Sequence, residues 1–286
     1  MRASVLLALV AIQGCAPTIA VRPSSGYCEP PSRTTFRFEQ DPAPSASASR
    51  EERMAALLGL GSVLAQQLAS RELPIEARVR ALERIELARL SVTATSAELD
   101  CDAARADQTA DYLSRNGASA VQGLTMASLG VAAGAAIAGV LLSTSNARAS
   151  TQDAVAISSG AVTAGLGLAM LGVHPRVDYG HPRNLLTDVW LGPTDSSTYP
   201  PLVWAYLARR EFSNQQQQSI RERIGARWSR YQGIARDSAD VALLFGTGGL
   251  YDAALLRTRA RMLSEVRAEV DLMNQDIESL AAALIR

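Results

Sequence analysis

Apolar residues recur along the last third of the chain with a seven-residue beat. Leu256, Leu263, Val270, Ile277 and Leu284 repeat every seven positions, and Val266, Met273 and Leu280 fill the positions between them; Arg259 interrupts the series. The pattern predicts a long coiled-coil-like helix that packs on another long helix, in this chain or in a second copy. Residues 75 to 115 are the natural internal partner. There Ile75, Val79, Leu82 and Ile85 form one stripe, and Leu87, Leu90 and Ala94 form a second. Two stripes predict two packed faces. Leu73-Pro74 reads as the start of that helix, and Asn116-Gly117 reads as its stop. Ser49-Arg-Glu-Glu52 is a capping box that opens an earlier helix reaching about Ser70.

A different pattern fills the middle of the chain. Residues 118 to 142 and 154 to 173 carry no charge, and a polar turn with Arg148 and Asp153 separates them. A four-residue spacing of mostly small residues recurs: Gly130, Gly134 and Ala138 in the first arm, and Gly160, Ala164, Leu168 and Gly172 in the second. Such spacing lets helix backbones approach closely, so a helical hairpin is expected over residues 118–174. Its length suits a bilayer, which takes roughly 20 residues. Its Ala, Gly, Ser and Thr content suits a buried hairpin at the protein's centre. Both readings stand on the sequence.

Residues 175–212 are punctuated by Pro175, Pro182, Pro193, Pro200 and Pro201 and read as loop-rich. Short helices are expected from Asn184 to Leu191 and from Pro201 to Arg210. Trp190, Tyr199, Trp204 and Tyr206 gather there, as a small core or a binding surface. From Ser213 to Ala235 a helix is expected, with Ile220, Ile224, Trp228, Tyr231 and Ile234 as its stripe and Arg221, Arg223, Arg227 and Arg230 around it. Gly246-Thr-Gly-Gly249 reads as a turn into the last helix. The fold class expected is all-α: a long-helix bundle with a central Ala/Gly-rich hairpin and a C-terminal coiled-coil-like helix.

Composition removes several functions and adds none. The 286 residues hold 28 basic and 28 acidic side chains, for zero formal net charge. That balance offers nothing to attract nucleic acid. Aromatic residues make up 5%, which suits close helix packing over a broad β core. The two histidines, His174 and His181, flank Asp178, but no fourth metal ligand is evident. There is no G-x-S-x-G elbow, and Gly246-Thr-Gly-Gly249 lacks the lysine of a phosphate loop. The carboxylates of Glu51 and Glu52, or of Asp100 and Asp102, read as solvated helix charges. No catalytic, cofactor or metal residue is assigned.

The first residues have their own grammar. Arg2 precedes an apolar run from Val5 to Ile12, then Ile12-Gln13-Gly14-Cys15 is followed by Ala16-Pro17. This is the layout of a secretory signal. It resembles the lipobox of bacterial lipoproteins. The resemblance implies cleavage before Cys15, lipids on Cys15 and, with Ala16 rather than Asp next, the outer membrane facing the periplasm. Trp190, Pro200-Pro201-x-x-Trp204 and Gly246-Thr-Gly-Gly249-x-Tyr251 also resemble envelope lipoproteins of no assigned activity. In an oxidising compartment the remaining pair, Cys28 and Cys101, is a disulfide candidate, with two free thiols as the alternative.

The organisation expected is therefore a signal peptide (1–14), a Pro/Ser-rich mobile tether (15–48), long helices (49–117), the hairpin (118–174), the aromatic segment (175–212) and C-terminal helices (213–286). The function expected is that of a membrane-anchored structural or interaction component, with a protein partner or a second copy. An integral hairpin component of an oligomeric envelope assembly is the alternative, and an envelope hydrolase the weakest.

Overall fold

The computed structural model describes residues 18–19, 28, 36–45, 47–70, 72–144, 175–214, 217–235 and 237–285. The protein is all-α with one small sheet. Strand β1 (Thr18–Ile19) is followed by α1 (Arg50–Leu57), α2 (Gly61–Ser70) and α3 (Ile75–Thr144). Then come β2 (Arg176–Gly180), α4 (Leu185–Leu191), α5 (Pro201–Ala208) and a 3-10 turn (Arg210–Phe212). The chain ends with α6 (Ile220–Tyr231), α7 (Ala239–Phe245), β3 (Gly248–Asp252) and α8 (Ala253–Ile285). The sheet order is β1-β2-β3. Two compact units divide the chain. The larger holds residues 23–108, 179–249 and 255–286, and the smaller holds residues 1–22, 109–178 and 250–254.

In the larger unit α8 runs antiparallel to the first part of α3. Ser96 Oγ donates to Asp271 Oδ1 at 2.6 Å, Arg267 pairs with Asp100, and Arg259 pairs with Asp102. Numbers rise on one helix as they fall on the other. All eight apolar heptad positions of α8, from Leu256 to Leu284, are buried, so this stripe is closed within the chain. Of the stripes read from the sequence, Ile85 alone is buried. Ile75, Val79, Leu82, Leu90 and Ala94 are exposed. The buried seam of α3 is Ala81, Ala88, Thr95 and Asp102 every seven residues, and Ile85, Val92, Leu99 and Ala106 every seven. Most of these seam residues are alanine or polar, so the seam is of modest hydrophobicity.

The capping box at Ser49 forms, with Ser49 Oγ accepting from Glu52 N and Glu52 Oε2 from Ser49 N. The helix it opens stops at Leu57, well before Ser70. Gly59 adopts φ +65°, and a Cβ there would meet Glu39 O at 2.1 Å. The chain restarts where Asp41 Oδ2 accepts from Gly61 N at 2.7 Å. A distant carboxylate thus does the work of an N-cap. Asp41 N donates to Ala56 O at 2.9 Å, and Ala48 is buried. Within residues 36–48 the chain thus touches the body at Asp41 and Ala48, while most other described side chains there are exposed. A second capping box, Ser219 with Glu222, starts α6. The expected helix over residues 213–235 is accordingly shorter at both ends, and Tyr231 is exposed.

In the smaller unit, β1 lies parallel to β2, with Thr18 opposite Arg176 and Ile19 opposite Val177. Helix α3 does not stop at Asn116-Gly117. Gly117 is helical, and a Cβ on it would lie 3.1 Å from Pro175 Cγ. The glycine serves a close approach, not a C-cap. Beyond it the described side chains of α3 are mostly exposed, including Met126, Leu129 and Ile137. The arm is not buried as a central hairpin would be. Gly130 has nothing described within 4 Å of its Cβ position, so no described residue makes the close contact expected there. Gly134 lies on α3 with its surroundings outside the described residues, as are Gly160, Gly172 and the whole second arm. Among the described residues no helix is long and apolar enough to cross a membrane.

Candidate functional site: a buried polar network

The larger unit holds its polar chemistry inside. Arg259 is 0% exposed. Its Nη2 donates to Asp102 Oδ2 at 3.2 Å, and its Nη1 donates to Asn184 Oδ1 at 3.0 Å and Leu244 O at 3.1 Å. Asn184 is the N-cap of α4, its Oδ1 also accepting from Leu186 N. Its Nδ2 donates to Leu244 O and Gly246 O, at the end of α7. Helix ends leave carbonyls without intrahelical partners; Arg259 and Asn184 supply donors to them. One guanidinium and one amide therefore tie α3, α4, α7 and α8 together.

Arg105 extends the network. Its Nε donates to Tyr179 Oη at 2.8 Å and its Nη2 to Gly180 O at 2.9 Å, with the guanidinium 4.5 Å from the Tyr179 ring centroid. Burial raises the Tyr179 pKa. Glu98, also buried, forms an ion pair with Arg183. His181 is 2% exposed, and its N donates to Thr247 O. Burial, then the charge of Arg259, lowers its pKa from 6.5 to about 3. An imidazole so held stays neutral near pH 7 and is no proton shuttle there.

Cys28, Glu98, Asp102, Arg105, His181 and Arg183 are among the residues lining a cavity of about 10 Å³. That is room for a single water. A catalytic reading of His181 would need space for a substrate, and this cavity offers none. Asp178 is exposed, and His174 lies outside the described residues. Among the described residues no group of three His, Cys, Asp or Glu side chains is placed to hold a metal.

Cys28 and Cys101 are joined by a disulfide, with Cα atoms 5.6 Å apart. The bond ties the N-terminal segment to α3 beside that cavity. Cys15 lies outside the described residues. The aromatic segment is a core under loops: Tyr199, Trp204 and Tyr206 are buried. Asp188 Oδ2 gathers Ser196 Oγ, Thr198 Oγ1 and the backbone N–H groups of Ser197 and Thr198, folding the Pro-rich loop onto α4. The open depressions are larger but plainer. One of about 560 Å³ is edged by Trp190, Leu191, Arg210, Gln218 and Arg221. Its two arginines pair with Glu222.

The sequence pattern flagged Arg259 only as a break in the heptad. Asp102, which reads there as a solvated helix charge, is buried instead because Arg259 pairs with it; Asn184 reads only as the start of a helix, and Arg105 and Glu98 are not singled out. The available signal was Arg259 itself: a charge at a core position demands a buried partner. No protein-family model, curated protein or solved structure matches the chain.

Proposed function

We propose that this chain is a lipid-anchored protein of the bacterial cell envelope, held through Cys15 in the outer membrane and facing the periplasm. It works as a structural or interaction component through its disulfide-tied helical body. The observation that carries this reading is the Cys28–Cys101 bond. Disulfides persist in oxidising compartments and are rare in the cytosol. The lipobox-like Ile12-Gln-Gly-Cys15 points to the same address. A scaffold role is supported by where the polar chemistry goes: Arg259, Asp102, Asn184, Glu98 and Arg183 are used in holding helices.

Two measurements on protein from intact cells test the proposal. Mass spectrometry of the N-terminal peptide should find a lipid-modified Cys15, and Cys15→Ser should leave a longer, unlipidated precursor. Crosslinking followed by pull-down should return a defined envelope protein or a second copy. An unmodified N-terminus elsewhere in the chain would remove the anchor.

A further inference from the structure

We infer that the exposed half of α3 beyond Gly117 rests in lipid, with Met126, Leu129 and Ile137 against the acyl chains of the membrane that Cys15 enters. The inference rests on the lipid-anchor reading above and adds a second contact with the same bilayer. It is contact with lipid, not a crossing.

Three observations converge within the smaller unit. The first is reach. Thr18 is paired with Arg176 in β1·β2, and Cys15 stands only three positions before it. At full extension those three steps span about 10 Å. The second is where that short leash leads. Pro175 precedes β2 and packs on Gly117, 3.1 Å from where a Cβ would stand. An acyl chain on Cys15 therefore enters its membrane close to the point where the second half of α3 begins. The third is the character of that half. Between Arg115 and Arg148 there is no charged residue. Met126 is 62% exposed, Leu129 59% and Ile137 62%.

Three hydroxyls there are turned back on the helix, while the Gln122 amide stays exposed. Ser119 Oγ donates to Arg115 O, Thr125 Oγ1 to Val121 O and Ser128 Oγ to Thr125 O. Hydroxyls turned back on their own helix present no unmet donor to hydrocarbon. A helix meant for water would carry charges on its exposed face, whereas a charge in lipid is expensive. Charge-free and exposed, beside a lipid attachment point, this segment fits acyl chains.

The test uses the full chain, purified with its native N-terminus and reconstituted into phosphatidylethanolamine/phosphatidylglycerol vesicles. With Cys15 lipidated and Cys28 bonded to Cys101, a new cysteine is the single reactive thiol. Leu129→Cys, Met126→Cys and Asp195→Cys are each labelled with an environment-sensitive NBD probe, and circular dichroism checks their folding. The expected result is blue-shifted emission at 129 and 126, lost when doxyl-labelled lipid is included, and unchanged emission at 195. Water-like, unquenched emission at both 129 and 126 overturns the inference. So does emission that is blue-shifted but insensitive to doxyl lipid, because protein then covers the face. Mass spectrometry reads the anchor separately: where Cys15 is unmodified and would itself take the probe, Leu129→Cys is labelled in a Cys15→Ser background, and a lipid-quenched probe there discards the anchor and keeps the surface.

Discussion

Arg259 Nη2 stands 3.2 Å from Asp102 Oδ2, and each residue occupies a core position of the heptad series on its own helix. Asp102 follows Ala81, Ala88 and Thr95, while Arg259 precedes Val266, Met273 and Leu280. A charge at either position alone would break an apolar seam. Together they mark one layer and one register between α3 and α8, as a polar core residue does in coiled coils.

Removing one member of this pair should be worse than removing both. Arg259→Met leaves the buried Asp102 with only the longer contact to Arg105 Nε at 3.8 Å and should cost about 3–5 kcal/mol. Arg259→Met with Asp102→Leu should recover much of that loss, since a hydrophobic layer of similar volume is often neutral. Urea unfolding of the two singles and the double closes the cycle. Additive losses would mean that the two residues act independently.

Ile277 is 0% exposed, and Glu278 beside it is exposed. Ile277→Asp buries an unpaired carboxylate and should cost several kcal/mol, or roughly 3 and above. Glu278→Gln should change stability by less than about 0.5 kcal/mol. Because the stripe is closed within the chain, sedimentation of Ile277→Asp should show unfolding and not the loss of a dimer. Equal, silent behaviour of both variants would count against the packed heptad.

The disulfide closes a separation of 73 residues. In the chain-entropy account a loop of that size contributes about 4 kcal/mol. Cys28→Ser with Cys101→Ser should lower the unfolding free energy by that order. Thiol labelling of the unreduced, denatured wild type should find neither cysteine reactive; two labels per chain would show that the bond is missing.

His181 makes stability depend on pH. Its folded pKa is about 3, against 6.5 when unperturbed. Between those values the unfolded chain binds a proton at this position and the folded chain does not. Stability therefore falls as pH drops from 6.5 toward 3, and His181 contributes no slope above 6.5. The whole window is worth on the order of 5 kcal/mol. Urea titrations of wild type and His181→Leu across pH 4 to 8 isolate the group from the carboxylates around it. A wild-type-minus-variant difference that is level with pH would mean that the imidazole protonates in place.

Two glycines should respond in opposite directions. Gly59 sits at φ +65° with Glu39 O in the way of a Cβ, whereas Gly123 is helical with nothing within 4 Å. Gly59→Ala should cost about 1–3 kcal/mol. Gly123→Ala should stabilise by roughly 0.5–1 kcal/mol through helix propensity. Thermal melts of the pair compare them directly.

The long C-terminal helix was legible in the sequence because its seam is made of large aliphatic residues at fixed spacing, and periodicity alone determines which face such a helix must bury. The capping box at Ser49 was legible for a similar reason: its bonds join residues three apart. The all-α class follows from the same local signals. Tertiary structure alone decided the rest. The α3 seam hides because Ala81, Ala88, Thr95 and Asp102 are no more hydrophobic than their neighbours, and only tertiary packing selects them over Leu82 and Leu90. Gly117 looks like a helix stop until Pro175 is seen against it. Gly61 finds its cap in Asp41, twenty residues earlier. Asn184 and Arg259 meet across 75 positions of sequence. Local sequence determines periodicity and caps because those interactions span a turn or two of helix; partners far apart in the chain are chosen by packing, which no short window contains.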